Sequence, residues 1–440
     1  SNAPGDTSAQ SNGDSVSNLS AQEAVNHYLA GAVAEESNDL ATATIEFQLA
    51  RQYDPNSIAI GTALARVYLK IRQTDAAINL LEQMLAQNPQ DEEMYNMLTM
   101  IYDHEERYED AYKLLLRLEK IRPLSRYERL RLAGFCYETK RLDEAIVNYM
   151  TYLKDFGRDA DIWEQIGRLN VLRRDVAQSE LAFREAVTID SSRAETHFIL
   201  GSMAIDRNDR AQAVKDFFNA MRADSAEPKY WTAVMSLLSV QKEFTRVLTL
   251  ADSAIDWFPD IATFYAFKGS TLERLGRFDE AIGFLNKAVL VDSTDVSSYI
   301  ALAYIHHERK EWEQGSAIYE KALAIEPDNP LIMNNYAYML SVQNAQLDRA
   351  LALIDIALQN RPDEPTYLDT KAWVLYRQGK SNEALTISEQ AVAGKPESSE
   401  VHYHLGMILN SLNRSADARK AWQKAYELEP ENEEYQRLAR

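Results

Sequence analysis

The chain has 440 residues, 46% apolar and 26% charged, with only 15 glycines and 12 prolines. Its 67 acidic against 47 basic side chains give a net charge of −20, a field that repels nucleic-acid phosphates and anionic lipid headgroups. The single cysteine, Cys136, excludes an intrachain disulfide, and no run approaches the ~18 apolar residues of a membrane span.

Ser1-Asn2-Ala3 reads as a cloning scar, and the chain through Ser20 is rich in Ser, Asn, Gly and Asp. So few apolar residues predict a disordered tail over 1–20. Two readings stay open for it: a tether behind a removed signal or lipid-anchor segment, or an ordinary loose N-terminus. Residues 1–60 carry eight acidic side chains and one basic, Arg51.

From residue 21 to 440 one period governs the chain. Pro55, Pro89 and Pro123 are 34 apart, and Pro327, Pro362, Pro396 and Pro430 are spaced 35, 34 and 34. Proline stops a helix but suits its first position, so these residues mark boundaries between helices. Small residues keep the same beat, as in Gly31, Ala65, Gly134, Gly167 and Gly201, then Ala43, Ala77, Ala111 and Ala145 about twelve residues on. Between them Phe47, Trp163, Phe183, Phe217, Trp231 and Trp422 stand at amphipathic-helix spacing and are expected in the core. The units start near 24, 58, 92, 127, 160, 194, 228, 262, 296, 330, 365 and 399, with a short capping helix over 433–440. The unit at 127–159 reads as one residue short, with Tyr152 where a small residue is expected. Met235 and Val247 make the unit at 228 irregular too.

A small residue at positions 8, 20 and 27, bulky apolar residues between them and proline near 32 resemble the tetratricopeptide repeat (TPR) family. Val401 to Gly406, then Ala418, Trp422, Ala425 and Pro430, show the pattern most clearly. The resemblance implies an all-α, right-handed superhelix of about twelve helix-turn-helix repeats, a single solenoid over 21–440. It implies a non-catalytic scaffold or adaptor that binds a peptide or partner protein.

Nothing in the residues argues for catalysis, a cofactor or a metal. Gly379-Lys380-Ser381 lacks the upstream glycine of a phosphate loop, where Val374 stands, and reads as a turn. His306-His307 and His402-x-His404 point to different helix faces and read as structural or surface histidines. Cys136 reads as a buried, inert thiol.

In the TPR family the first helices of the units line a concave groove. Position 9 of successive units holds Tyr304, Tyr338 and Trp373, followed by Met407. Tyr376 and Tyr403 sit nearby, with His307, Asn334, Asp369 and Arg377 as polar neighbours. Aromatics and arginine dominate interface hot spots, so these ten residues are the candidate partner-binding groove; packing between first helices is the competing role. A clamp for acidic peptide tails needs Lys at position 5 and Asn at position 9 of one unit, and no asparagine stands at position 9, so that clamp is absent.

Asn334-Asn335-Tyr336-Ala337-Tyr338-Met339-Leu340, then Tyr367-Leu368-Asp369-Thr370-Lys371-Ala372-Trp373-Val374-Leu375-Tyr376 and His404-Leu405-Gly406, resemble exported bacterial TPR proteins, many of them lipoproteins. That resemblance implies a periplasmic or outer-membrane-anchored scaffold in the cell envelope. A structural subunit of a secretion or polysaccharide-export complex and a cytoplasmic regulatory TPR protein remain the alternatives. The partner expected is a protein or peptide, not nucleic acid.

Overall fold

The computed structural model describes residues 8–440, with side chains described from Leu19 onward; the first seven residues of the expected tail lie outside the described residues. The chain divides into two compact units, one ending at Thr196 and the other beginning at His197. Among the described residues there are helices and no strands.

The first unit contains α1 (Ser8–Glu36), α2 (Leu40–Tyr53), α3 (Ile58–Lys70), α4 (Thr74–Gln87), α5 (Glu92–His104), α6 (Tyr108–Glu119), α7 (Arg126–Glu138), α8 (Leu142–Phe156), α9 (Ala160–Leu172) and α10 (Val176–Ile189). Helix α11 (Ala194–Asp206) spans the division. The second unit continues with α12 (Arg210–Ala223), α13 (Pro228–Val240), α14 (Phe244–Trp257), α15 (Ala262–Arg274), α16 (Phe278–Val291), α17 (Val296–Glu308) and α18 (Trp312–Ile325). It ends with α19 (Pro330–Gln343), α20 (Leu347–Asn360), α21 (Pro365–Arg377), α22 (Ser381–Gly394), α23 (Ser399–Ser411), α24 (Ser415–Leu428) and the short α25 (Glu433–Ala439). Helix α1 runs back over 8–20, which composition alone assigns to the tail. Once a helix is nucleated each further residue adds a hydrogen bond for little cost, and Ser20 anchors this one to the Tyr53 carbonyl at 3.0 Å.

The ends of the helices follow from local chemistry. Asp91, Ser57 and Asn329 accept hydrogen bonds from the first-turn amides of their helices, and Pro228, Pro330 and Pro365 open α13, α19 and α21. The two helices of each pair are joined through a left-handed residue. Asn38, Arg72, Glu106, Lys140 and Arg174 hold this place in the first unit, and Asn208, Lys242, Gly276, Lys310 and Asn344 in the second. Gly379 and Asn413 hold it in the last two pairs, so two of the twelve residues are glycine, and the turn is marked by its period rather than by residue type. The following amide reaches back to satisfy a helix-end carbonyl, as Arg107 N–H does to Tyr102 O at 2.7 Å. Gly379 has φ 80° at the same place, which makes Gly379-Lys380-Ser381 an interhelix turn. The 35-residue unit places its extra residue here: α19 has 14 residues, and Gln346 adds a second left-handed position beyond Asn344.

Within a pair, small residues let helices meet. A Cβ on Gly167 would stand 2.6 Å from the Phe183 ring, so only glycine admits that contact. Ala43, Ala77, Ala111, Ala145, Ala213, Ala281 and Ala350 are completely buried. Met235 and Val247 are buried as well, and α13 and α14 keep their 13 and 14 residues.

One boundary is corrected. Helix α7 begins at Arg126, 34 residues after the start of α5 and 34 before that of α9, so this unit is not short. Ser125 and Glu128 form a reciprocal capping box that sets the start. Reading Gly134 as the small packing residue displaced the register by one; Ala133 is the completely buried residue. Tyr152 is buried, with its hydroxyl beside Arg126 and 3.2 Å from Asp159 Oδ2.

Candidate functional site

All ten candidate groove residues belong to the second unit, on α17, α19, α21 and α23. Their helical register puts them on one face, where the structure separates a buried floor from a partly exposed rim. Trp373 is the centre of the floor, only 6% exposed. Its ring stacks on His404 with centroids 4.2 Å apart and on Tyr376 at 4.9 Å. The Arg377 guanidinium lies 5.8 Å from the Trp373 ring, while its Nε donates to Asn344 Oδ1 at 3.3 Å. The packing role weighed for Trp373 is therefore realised, and the same side chain carries the rim residues.

Beneath it, Asp369 Oδ2 lies 2.8 Å from His404 Nδ1, both residues buried. Burial pushes the imidazole towards its neutral form, but the charge and hydrogen bond of Asp369 outweigh it and raise the His404 pKa. Tyr338 on α19 passes α21 and donates to Glu400 Oε1 on α23 at 2.7 Å. Its ring lies 6.1 Å from His404 and 5.8 Å from His307, which also meets Trp312 at 5.6 Å. Burial lowers the His307 pKa, against the pull of Glu308 and Glu400. Rings and imidazoles thus run continuously from α17 to α23.

The rim is different. Tyr304 is 42% exposed, and burial of its hydroxyl beside Glu308 and Glu273 pushes its pKa up to about 12. Tyr403 donates to Glu434 Oε1 at 3.2 Å, and its ring lies 5.2 Å from that of Tyr435 of α25, tilted by 34°. Its pKa is likewise pushed up to about 12, by burial and then by Glu434. Met407 packs beside the cluster of Leu409, Ala421 and Trp422. Asn334 is buried, its amide donating to Asn335 Oδ1 at 3.1 Å.

Three buried polar atoms on this face, Asn334 Oδ1, Asp369 Oδ1 and Trp373 Nε1, have no hydrogen-bond partner among the described residues. Burying such groups without a partner costs about 1–3 kcal/mol each, so the floor carries an unmet polar cost beneath the rim.

Sequence reasoning missed the carboxylates Glu308, Glu400 and Glu434 and left His404 as merely structural. His404 follows Asp369 by 35 residues, one unit plus one position, and that offset was a usable signal. Elsewhere His306 pairs with Glu311 at 2.5 Å and His402 with the Pro396 carbonyl at 2.9 Å. Cys136 in the first unit is buried, and burial pushes its thiol up to about 11, far from a reactive thiolate. Among the described residues no group of three or more His, Cys, Asp or Glu side chains is placed to hold a metal ion, and no helix is long and apolar enough to cross a membrane.

Helix pairs of one period joined by left-handed turns at fixed spacing are the architecture of tetratricopeptide repeats, and the chain belongs to that family. Profiles described as tetratricopeptide repeat match residues 34–101, 72–131, 262–295, 296–329 and 318–352, and the N-terminal TPR repeats region of Psidin matches 338–438. A TPR repeat-containing protein of Pseudomonas aeruginosa is 26% identical over 211 residues, 48% of this chain and 35% of that one. A TPR repeat-containing protein of Methanocaldococcus jannaschii is 20% identical over 389 residues, covering 82% and 68%. Anaphase-promoting complex subunit 3 of Schizosaccharomyces pombe is 22% identical over 202 residues, covering 46% and 30%. The chain thus spans about a third of the Pseudomonas and Schizosaccharomyces relatives.

Proposed function

We propose that this protein is a non-catalytic scaffold or adaptor that holds a peptide or partner segment on the first-helix face of residues 296–440. The observation that carries the reading is a rigid aromatic floor, polar at its base, beneath a part-exposed aromatic rim. Trp373, His404 and Tyr338 are locked against one another, while Asn334 Oδ1, Asp369 Oδ1 and Trp373 Nε1 lack partners. A preorganised floor loses little entropy on binding, and exposed Tyr304 with part-exposed Tyr376, Tyr403 and Arg377 supplies the contact surface. A relative that is itself a subunit of an assembly is in keeping with this role.

The test compares affinity capture by the wild type and by a Tyr304→Ala/Tyr376→Ala variant, after circular dichroism has shown the variant folded. A partner lost only by the variant supports the site; equal capture removes it from this face. We further propose a cell-envelope location, supported by the resemblance of residues 334–340, 367–376 and 404–406 to exported TPR proteins. Fractionation of the native host answers it: recovery in the cytosol alone would make this a cytoplasmic regulator.

A further inference from the structure

The first unit contains a second feature that its own fold does not require. Gly134 lies inside α7, with ordinary helical backbone rather than a positive φ. A glycine in a helix interior weakens the helix relative to alanine, so it needs a reason. Gly167, which holds the place of Ala133 one repeat on, has such a reason in the Phe183 ring. At Gly134 a Cβ would meet nothing within 4 Å. Gly283 is similarly unhindered, but it stands exposed on α16. Gly134 instead opens into a cavity of about 490 Å³.

That cavity has a definite chemistry. Tyr108, Phe135 and Tyr149 supply aromatic walls, and Leu169 of α9 adds an aliphatic one. Two guanidiniums line it. Arg131 is committed: it binds Asp103 Oδ2 at 2.7 Å, the Thr99 carbonyl at 3.2 Å and the Tyr127 hydroxyl at 2.8 Å. Arg168 is exposed and has no carboxylate within ion-pair distance among the described residues. Asp103 is neutralised by Arg131, and Glu138 lies near enough to Tyr108 for its charge to be felt at that hydroxyl. The cation left without a partner is therefore Arg168, on α9, the first helix of the next repeat, at the same distance from its helix start as Gly134.

We propose that this well receives an aromatic side chain of a partner peptide, with a neighbouring carboxylate of that peptide seated on Arg168. Gly134 keeps the space open, the tyrosines and Phe135 bury the ring, and Arg168 selects an acidic neighbour. The site is separate from the C-terminal aromatic face, since none of its residues lies beyond Thr196, and either can fail without the other.

The probe is a fluorescein-labelled peptide, Gly-Ser-Trp-Asp-Ser-Gly, titrated against the full chain by fluorescence polarisation. Matched peptides replace its Trp by Ala or its Asp by Lys. Saturable binding of the Trp-Asp peptide is expected, weakened about tenfold or more by Gly134→Leu and by loss of the Trp. The surface variant Arg168→Glu, which perturbs no packing, should invert the preference in favour of the Lys peptide. Gly134→Ala guards against misfolding: it should melt no lower than wild type while binding the probe more weakly. Tyr304→Ala should leave this probe's binding unchanged. The proposal is overturned if wild type shows no saturable binding up to millimolar protein, if Gly134→Leu binds as well as wild type, or if the Asp and Lys peptides are not distinguished.

Discussion

The first unit and the C-terminal half of the second join their repeats in different ways. In residues 35–193 successive repeats are tied across their surfaces by ion pairs about one period apart. Examples are Arg66–Glu35 at 2.9 Å, Arg131–Asp103 at 2.7 Å, Arg141–Glu109 at 2.8 Å, Arg173–Asp143 at 2.9 Å and Arg193–Asp161 at 2.7 Å. The Arg66 and Lys70 side chains converge on Glu35 and hold its carboxyl below the usual range, the Arg66 hydrogen bond contributing most. In residues 304–435 the Arg349–Glu320 pair is a tie of that kind, but rings add a second set: Tyr338, His404, Trp373, Tyr403 and Tyr435 follow one another at centroid distances of 4.2–6.4 Å. Exposed ion pairs are cheap to break and reform, whereas buried stacks fix side chains in place. The difference teaches where to look for a preorganised surface: the ring-stacked end rather than the ion-paired one.

The largest expected effect tests the ring-stacked end. Trp373→Ala removes a buried indole against which His404 and Tyr376 both stack, and should cost about 3–5 kcal/mol of stability. Urea denaturation followed by far-ultraviolet circular dichroism measures it. A loss below about 1 kcal/mol would mean that the stacks are ornamental and that the comparison with the first unit has no energetic content.

A pH series sharpens the same end. His404 has a folded pKa raised above its ordinary 6.5, because Asp369 outweighs burial. Its contribution is complete below about pH 6.5 and is lost as pH rises through the folded pKa. His307, lowered by burial, works the other way: its contribution is present above about pH 6.5 and is lost as pH falls through its folded value. Denaturation midpoints of His307→Phe should therefore fall as pH rises above 6.5, with only the His404 response left in this region. Asp369→Asn should flatten that fall. Glu400 faces both imidazoles and Tyr338, so Glu400→Gln is expected to shift both responses downward in pH without abolishing either.

Much of this architecture is legible in the sequence, for reasons that can be named. The helix pairs were readable because proline and completely buried alanines recur with one period, and each constraint is local. The register at Gly134 misled because two small residues adjoin there, and only burial distinguishes Ala133 from its neighbour. At the candidate site the ten residues do share a face, since helical register alone puts them there. What register cannot say is how far one repeat turns relative to the next. The Tyr338–Glu400 hydrogen bond joins residues 62 apart across an intervening helix, and it depends on that rotation. The floor and rim, and with them the burial of Trp373 and Asp369, were beyond sequence reasoning for the same reason.

Gly134→Ala carries the comparison into the first unit from the other direction. Replacing a helix-interior glycine where a Cβ meets nothing should raise stability by about 0.5–1 kcal/mol. Differential scanning calorimetry would show a higher transition temperature. A destabilised Gly134→Ala would mean that the space around this residue is needed by the fold itself, and the cavity would lose its claim to be a reserved one.

The smallest effect is expected at the Arg173–Asp143 pair, whose side chains are 37% and 80% exposed. A double-mutant cycle with Arg173→Gln and Asp143→Asn should give a coupling of about 0.2–1 kcal/mol. In 1 M salt, where the Debye length shrinks to ~3 Å, that coupling should fall towards zero. A coupling above about 2 kcal/mol that survives salt would place real stability in the ion-paired repeats and erase the contrast with the ring-stacked end. A small, salt-sensitive value would leave their cohesion to the buried alanine, leucine and aromatic packing beneath, with the ion pairs selecting which face of one repeat meets the next.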